Sequence, residues 1–430
     1  MKPLAVRATP SAATVLDSLG RTEDLAAAPD GGVAVIAAFN RNELAWVEYE
    51  VVEHGGSREV VVSSARTMGH DLLCRPHGLT FVDQQTLVVA NREAEVVRLR
   101  IDHGRITSCG VLVDGTHPVP VRSPGSVAAR WITDELVELT VCNNSAHDVT
   151  RYVLDAARGW TVVDAERLLA ARLAIPDGVA VSRDGEWIAI SNHNVHSVFI
   201  YRNVPGVGPD SDPDGVLEGP NYPHGLVFSH DDTRLLVADA GLPYVYAYEA
   251  ASGDWTGTRR PVDTTRVMDD DVFNRARYNP QEGGPKGIDV DASGVAMLSG
   301  DQLPLAFYDL GVSSSAPVNK PSRELRRLAA RVAASDEVAA SRTAELAAAR
   351  EERQQLVEEL ARARAELAEA RTEADAWRTT AAASSADAAE AGARIGLMES
   401  TVTWRTRTRL LPLLRPLVRL SSNVRTTRRG

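Results

Sequence analysis

One short phrase is written six times in the first 310 or so residues, and it constrains the fold more tightly than any other feature. Its clearest copy is Tyr222-Pro223-His224-Gly225-Leu226-Val227-Phe228, an apolar strand followed by a polar turn at 229–233. A second apolar strand then ends on Asp239, and Pro243-Tyr244-Val245-Tyr246-Ala247-Tyr248 makes a third, so the period of two describes an antiparallel meander. Arg75-Pro76-His77-Gly78-Leu79 leads in the same way to Asn91, Ile175-Pro176-Asp177-Gly178-Val179 to Asn192, and Gly284-Pro285-Lys286-Gly287-Ile288 to Asp301. Two copies are worn: Ser123-Pro124-Gly125-Ser126-Val127 with Asn143, and Thr22-Glu23-Asp24-Leu25 with Asn40. The anchoring apolar residues Leu25, Leu79, Val127, Val179, Leu226 and Ile288 stand at steps of 54, 48, 52, 47 and 62.

Repeats of this length, each worth a few strands and none able to bury both faces alone, predict an all-β propeller of six blades, with seven left open. Closing the ring covers the faces and edges that an open sheet exposes. A short N-terminal piece, Val6 or Ala13-Thr14-Val15-Leu16, is available as a closing strand. The stretches 203–221 and 255–284 read as long functional loops.

The composition changes abruptly beyond residue 312. We divide the chain into a propeller at 1–312, a Ser/Pro linker at 313–321, a coiled coil at 322–399 and a basic amphipathic tail at 400–430. One heptad frame runs from Leu325 to Met398, and Glu345, Glu359, Glu366 and Glu373 each precede an arginine by five residues: Arg350, Arg364, Arg371 and Arg378. That spacing suits g-to-e′ pairs between parallel helices and predicts a parallel homodimer on a rod of roughly 110 Å. A solvated single helix with pairs along its own surface is the other reading.

The net charge is −11, yet the segment after Glu399 holds eight arginines and no acid, which leaves −19 on residues 1–399. The head is expected to repel nucleic acid and anionic lipid, whereas the tail, with Leu410, Leu414, Leu417 and Val418 among its arginines, suits an anionic membrane surface. Cys74, Cys109 and Cys142 have no metal-type spacing and read as buried thiols of a reducing compartment. No signal-like or membrane-spanning apolar run is found, so a cytoplasmic protein, peripheral at the inner membrane face, is expected.

Strand geometry places the residue between Pro and Gly on the same rim as the Asn or Asp that ends the next strand. The expected channel mouth therefore gathers Asn40, His77, Asn91, Asn143, Asp177, Asn192, His224, Asp239, Lys286 and Asp301, with Glu23 or Asp24 from the first repeat. Glu23, Asp177 and His224, with His77 beside them, could hold a divalent cation such as Ca, Mg or Zn. His77, His224 and Asp239 are candidate proton-transfer groups. The alternative is structural, with Asn and Asp capping turns through their own backbone. His193 and His196 form a further polar loop, and Asp210-Ser211-Asp212-Pro213-Asp214-Gly215 matches the start of a Ca²⁺ loop but meets Asn221 where a bidentate Glu belongs. Nucleophile-elbow and phosphate-loop motifs are absent.

At Pro76-His77-Gly78-Leu79 and Pro223-His224-Gly225-Leu226 the chain resembles the YVTN, NHL and lactonase-type β-propellers, across about residues 20–310. The resemblance implies a ligand-binding scaffold or a metal-dependent lactonase-like hydrolase. In the gluconolactonase-like branch carboxylate and amide side chains hold the metal; Asp177 and Glu23 fit that pattern, and His77, His224 and Lys286 depart from it. The segment Ser400-Thr401-Val402-Thr403-Trp404-Arg405, continued by Leu411-Pro412-Leu413-Leu414-Arg415, is similar to the ends of bacterial surface-polysaccharide glycosyltransferases and their partners. It implies a role in glycan assembly, with a sugar ligand or an assembly enzyme as partner.

Overall fold

The computed structural model describes residues 1–311, 355, 358–359, 362–376, 378–379 and 392–401, in two units divided between Ala334 and Ser335. In the first unit the strands Thr22–Ala27, Pro76–Phe81, Pro124–Trp131, Pro176–Val181, Pro223–Phe228 and Pro285–Val290 each touch the next, and the last touches the first. They are the innermost strands of six sheets, each with an antiparallel run of four strands. A ring of six blades is thereby closed.

The anchors of the repeat explain the closure. Leu25, Leu79, Val127, Val179, Leu226 and Ile288 fall into six different apolar cores, one at each junction between adjacent blades. Leu25 packs with Val295, Met297 and Phe307 of the last blade, and Leu226 with Trp187, Ala189 and Ile200 of the blade before it. Each buried leucine or isoleucine contributes about 1.5–3 kcal/mol of transfer free energy, so all six seams are held by the same local device.

The N-terminus adds to existing blades and makes no seventh. Lys2–Pro3 pairs antiparallel with Leu303–Asp309 of the sixth blade, and Ala5–Ala8 pairs parallel with Ser57–Gly69 of the first. Val6 is thus in a strand, as expected. Ala13-Thr14-Val15-Leu16 is not, because Thr9 caps the helix Pro10–Asp17 by accepting from Ala12 N, and Pro10 suits its first turn.

The two long connections are largely structured. Gly215–Glu218 is an outer strand of the fourth blade and pairs in parallel with Gly257–Arg259, while Asp263–Arg266 completes the fifth blade and Asp270–Ala276 is a short helix. The calcium-loop match is not formed. Gly215 belongs to a strand, Asp214 accepts from Arg202 N at 2.7 Å, and Asp212 pairs with Arg172 at 3.0 Å. Of the three free thiols only Cys142 is fully buried; Cys74 and Cys109 are half-buried.

In the second unit, helical residues occupy 362–376 and 392–401. Arg378 bonds Asp375 at 2.7 Å and Glu399 at 3.1 Å. A continuous helix would hold residues 378 and 399 about 32 Å apart, so the described pieces 362–376 and 392–401 are not collinear. The remaining heptads and the basic tail lie outside the described residues. Among the described residues no helix is long and apolar enough to cross a membrane.

Candidate functional site

Every inner strand slips its pairing register at the same place: Thr22/Leu25, Pro76/Gly78, Pro124/Ser126, Pro176/Gly178, Pro223/Leu226 and Pro285/Gly287. The Pro-x-Gly phrase, read from sequence as a turn, is therefore a bulged strand start. Proline is tolerated because this is an edge strand, and the bulge re-aims the residue at x toward the axis. Glycine follows because the next blade is too close for a side chain. A Cβ would lie 2.0 Å from His224 O at Gly178 and 2.3 Å from Lys286 O at Gly225. Where Asp24 and Ser126 replace it, their side chains reach forward and accept from Leu79 N at 2.9 Å and Val179 N at 3.3 Å.

The six residues at x are Glu23, His77, Gly125, Asp177, His224 and Lys286, and the five side chains among them meet on the axis. Lys286 Nζ donates to both oxygens of Glu23 at 3.0 Å and contacts Glu282 at 2.6 Å. Arg21 bonds Glu23 and Tyr278, and reaches Glu282 at 3.1 Å. Across the ring Arg92 donates to His77 Nε2 and to Asn144, and lies 3.2 Å from Asp177 Oδ1, which also accepts from Asn144 at 2.6 Å. His224 Nε2 stands between the acids, 3.4 Å from Asp177 and 3.6 Å from Glu23, with the His77 ring stacked on it at 5.3 Å. Glu23 is 0% and Lys286 2% exposed, so the ring is a buried plug and not an open mouth.

Burial pushes His77 down to about 3, helped by the adjacent Arg92 guanidinium, and burial lowers His224 as well. Both imidazoles are neutral at ordinary pH. Burial would raise the two acids, but Glu23 is held below the usual carboxylate range, chiefly by Lys286, and Asp177 by its contacts with His224 and Arg92. Since His224 is itself neutral, Arg92 is the lasting counter-charge of Asp177. Glu23, Asp177 and Glu282 thus face Lys286, Arg21 and Arg92, and the plug is electrically balanced.

The strand-end amides do not join it. Asn91 accepts from Cys74 N at 2.9 Å and donates to Leu72 O and Glu95 O; Asn143 binds Arg122 N, Asp148 and Thr150; Asn192 binds Ala174 N and Arg172 O. Asp239 accepts from Asn221, Tyr222 and Gly241 N, and Asn40 from the Arg75 guanidinium at 2.7 Å. The residue one step further turns inward instead. Arg92, Asn144 and His193 follow Asn91, Asn143 and Asn192, and His193 Nδ1 lies 3.7 Å from Asp177. Asp301, which follows the Gly300 that pairs with Pro285, shares this phase and is half-buried near Lys286. The period of two along a strand carries this information, read one residue later than the amide. Arg21, Tyr278 and Glu282 left no such signal.

A carboxylate oxygen of Glu23 and ring nitrogens of His77 and His224 lie within 4.8 Å of one another, a spacing compatible with a divalent cation. The donors as they stand do not fit one. Both Glu23 oxygens carry the Lys286 ammonium, and His77 Nε2 accepts from Arg92 while its Nδ1 bonds Gly125 O at 2.6 Å. Two fixed cations already supply the positive charge that a metal would bring.

Behind the plug the inner strands enclose a cavity of about 750 Å³. It runs from His77, Asp177 and His224 to the turns at the opposite ends of these strands, where Arg183, Asp184, His230, Asp231 and Asp232 line it. Asp24 and Asp289 face this lumen, surrounded by protein yet reached by water. Burial raises Asp24 well above its ordinary range and pushes Asp289 up to about 6.

No protein-family model matches the chain, and no curated protein matches it in sequence. Among solved structures, the luciferin-regenerating enzyme is similar over 70% of this chain and 96% of its own, at 13% identity and a TM-score of 0.48. Regucalcin of Agrobacterium tumefaciens, a calcium-binding protein, is similar over 74% and 98%, at 13% identity and 0.45. A protein of Desulfotomaculum acetoxidans is similar over 68% and 84%, at 14% identity and 0.44. The assignment of architecture stands on the closed circle of inner strands: residues 1–311 hold a six-bladed all-β propeller, with a balanced polar plug at one end of its axis and a water-reached cavity at the other.

Proposed function

We propose that the propeller is a non-catalytic ligand-binding head, taking a small molecule into the cavity behind the plug. The observation that carries this reading is Lys286 on both oxygens of Glu23, which commits the axial carboxylate to an internal ion pair. The cavity volume falls in the range of about 300–1,000 Å³ usual for small-molecule pockets.

The wider role rests on the sequence beyond the propeller. Glu345/Arg350, Glu359/Arg364 and Glu366/Arg371 support self-association of the helical region, and the eight arginines after Glu399 support attachment to an anionic membrane surface. Together with the Trp404-Arg405 segment they favour a scaffold in cell-surface polysaccharide assembly, at the cytoplasmic face. Truncation after Glu399 should abolish co-sedimentation with vesicles containing phosphatidylserine. Equal partitioning of the truncated and full chains removes the membrane part of the proposal.

The rival reading is a metal-dependent lactonase-like hydrolase, favoured by the proximity of Glu23, His77 and His224. Elemental analysis of the purified full chain separates the two. The ligand-binding reading expects no stoichiometric metal and no lactone hydrolysis. One metal per chain, lost in His224→Ala together with activity, establishes the hydrolase instead.

A further inference from the structure

The lumen lacks the charge balance of the plug. Asp24 on the first blade and Asp289 on the sixth enter it from adjacent inner strands. Asp24 accepts from Leu79 N at 2.9 Å, and Asp289 from Ala27 N and Val290 N, each at 2.8 Å. Those are backbone groups. Among the described residues neither carboxyl has an ion pair within 4 Å, Arg183 acting on Asp289 only from further off, whereas Glu23, Asp177 and Glu282 of the plug each have one. The walls around them are apolar, with Phe81, Val181 and Val227, and the far end is open between the turns that carry Arg183 and Asp232. Asp184, Asp231 and Asp232 there are turn caps bonded to neighbouring backbone or hydroxyl groups, so they add negative charge without closing the entrance. Arg130, the other cation of the wall, is held by Glu138 at 2.8 Å.

We infer that this lumen binds an organic ammonium compound, an amine with an apolar body, whose cationic head lies between Asp24 and Asp289. The inference rests on the proposal that the cavity is a ligand site and specifies its chemistry. An anionic ligand would meet five acids besides the paired Asp177, against the guanidinium of Arg183 and that of Arg130, which Glu138 already holds. A neutral apolar ligand would displace the water that reaches the two carboxyls and supply no counter-charge, which disfavours their ionised form. An ammonium group supplies that counter-charge, and each carboxylate oxygen keeps a lone pair beyond its backbone bond that can accept from it. Entry is from the Arg183 and Asp232 face, because the buried plug closes the other end.

The test uses the full chain, with tryptamine as the cationic probe and tryptophol as its hydroxyl isostere, by titration calorimetry near neutral pH. Tryptamine should bind one per chain, at least about tenfold more tightly than tryptophol, the worth of one charge-assisted hydrogen bond. In Asp24→Asn/Asp289→Asn that preference should vanish, while the amide oxygens still accept from Leu79 and Ala27 N and the unfolding temperature reports an intact ring. Should the double variant not fold, each single variant is expected to lose part of the preference. Equal binding of the two probes overturns the ammonium assignment and leaves the ligand site standing. Binding of neither overturns both, and a preference unchanged in the Asn variants places the amine elsewhere and overturns the inference.

Discussion

Lys286 Nζ stands 3.0 Å from each carboxylate oxygen of Glu23, and the two residues belong to the sixth and first blades, where the two ends of the ring meet. The pair spans 263 residues of sequence and is almost wholly buried. It links the site to the closure of the fold. Removing one member leaves a charge without its partner in a low-dielectric interior, which typically costs about 3–5 kcal/mol.

Lys286→Met is accordingly expected to destabilise the propeller by about 3 kcal/mol, reduced from the upper range because Arg21 still pairs with Glu23. Glu23→Gln/Lys286→Met should recover part of the loss. A double-mutant cycle in urea measures the coupling. Additive effects would show that the seam does not depend on this contact.

His77 makes the ring acid-labile. Its folded value of about 3 lies below the ordinary 6.5, so the unfolded chain binds the extra proton between those limits. Its contribution is complete above about pH 6.5 and is lost as pH falls toward 3. His77→Gln, which keeps partners for Gly125 O and Arg92, should flatten the dependence of unfolding temperature on pH across this window. A profile parallel to that of the parent would contradict the burial of a neutral imidazole.

Asp289 acts with the opposite sign. Its folded value of about 6 exceeds the ordinary 3.8, so the folded state binds the extra proton and stability falls as pH rises through that interval. Asp289→Asn should stabilise the protein at about pH 7.5 by roughly 1–2 kcal/mol, the shift being discounted for water in the lumen, and by nothing near pH 4. Thermal unfolding at the two pH values checks it.

The bulged strand starts predict a contrast between glycines. Gly178→Ala puts a methyl group 2.0 Å from the backbone of the next blade and should cost about 3 kcal/mol or more, whereas Gly110→Ala meets nothing within 4 Å and should be close to neutral. Denaturant midpoints of the two variants provide the comparison. A mild Gly178→Ala would mean that adjacent inner strands can separate at no cost.

The propeller was legible because its signal is local. Leu25, Leu79, Val127, Val179, Leu226 and Ile288 recur at near-constant steps, and each blade must bury the same position against its neighbour, so periodicity alone implies a ring. His77, Asp177, His224 and Lys286 could be placed on the axis for the same reason: they occupy one position of one repeat. The amides at Asn91, Asn143 and Asn192, expected at the mouth, end their strands bonded to loop backbone instead, since adjacent residues of a strand point to opposite sides and the bulge shifts one strand by a residue. Asp210–Gly215 failed differently, because a short local pattern there lost to sheet pairing at Gly215.

By itself, then, the order of amino acids determined the architecture and the identity of most axial side chains. Tertiary structure alone decided that Lys286 neutralises Glu23, that Arg92 and Asn144 hold Asp177, and that Asp24 and Asp289 face the cavity with only backbone groups bonded to them. Charge balance is a property of distances between blades, and residues 33 to 263 positions apart carry no pattern of their meeting until the ring has closed.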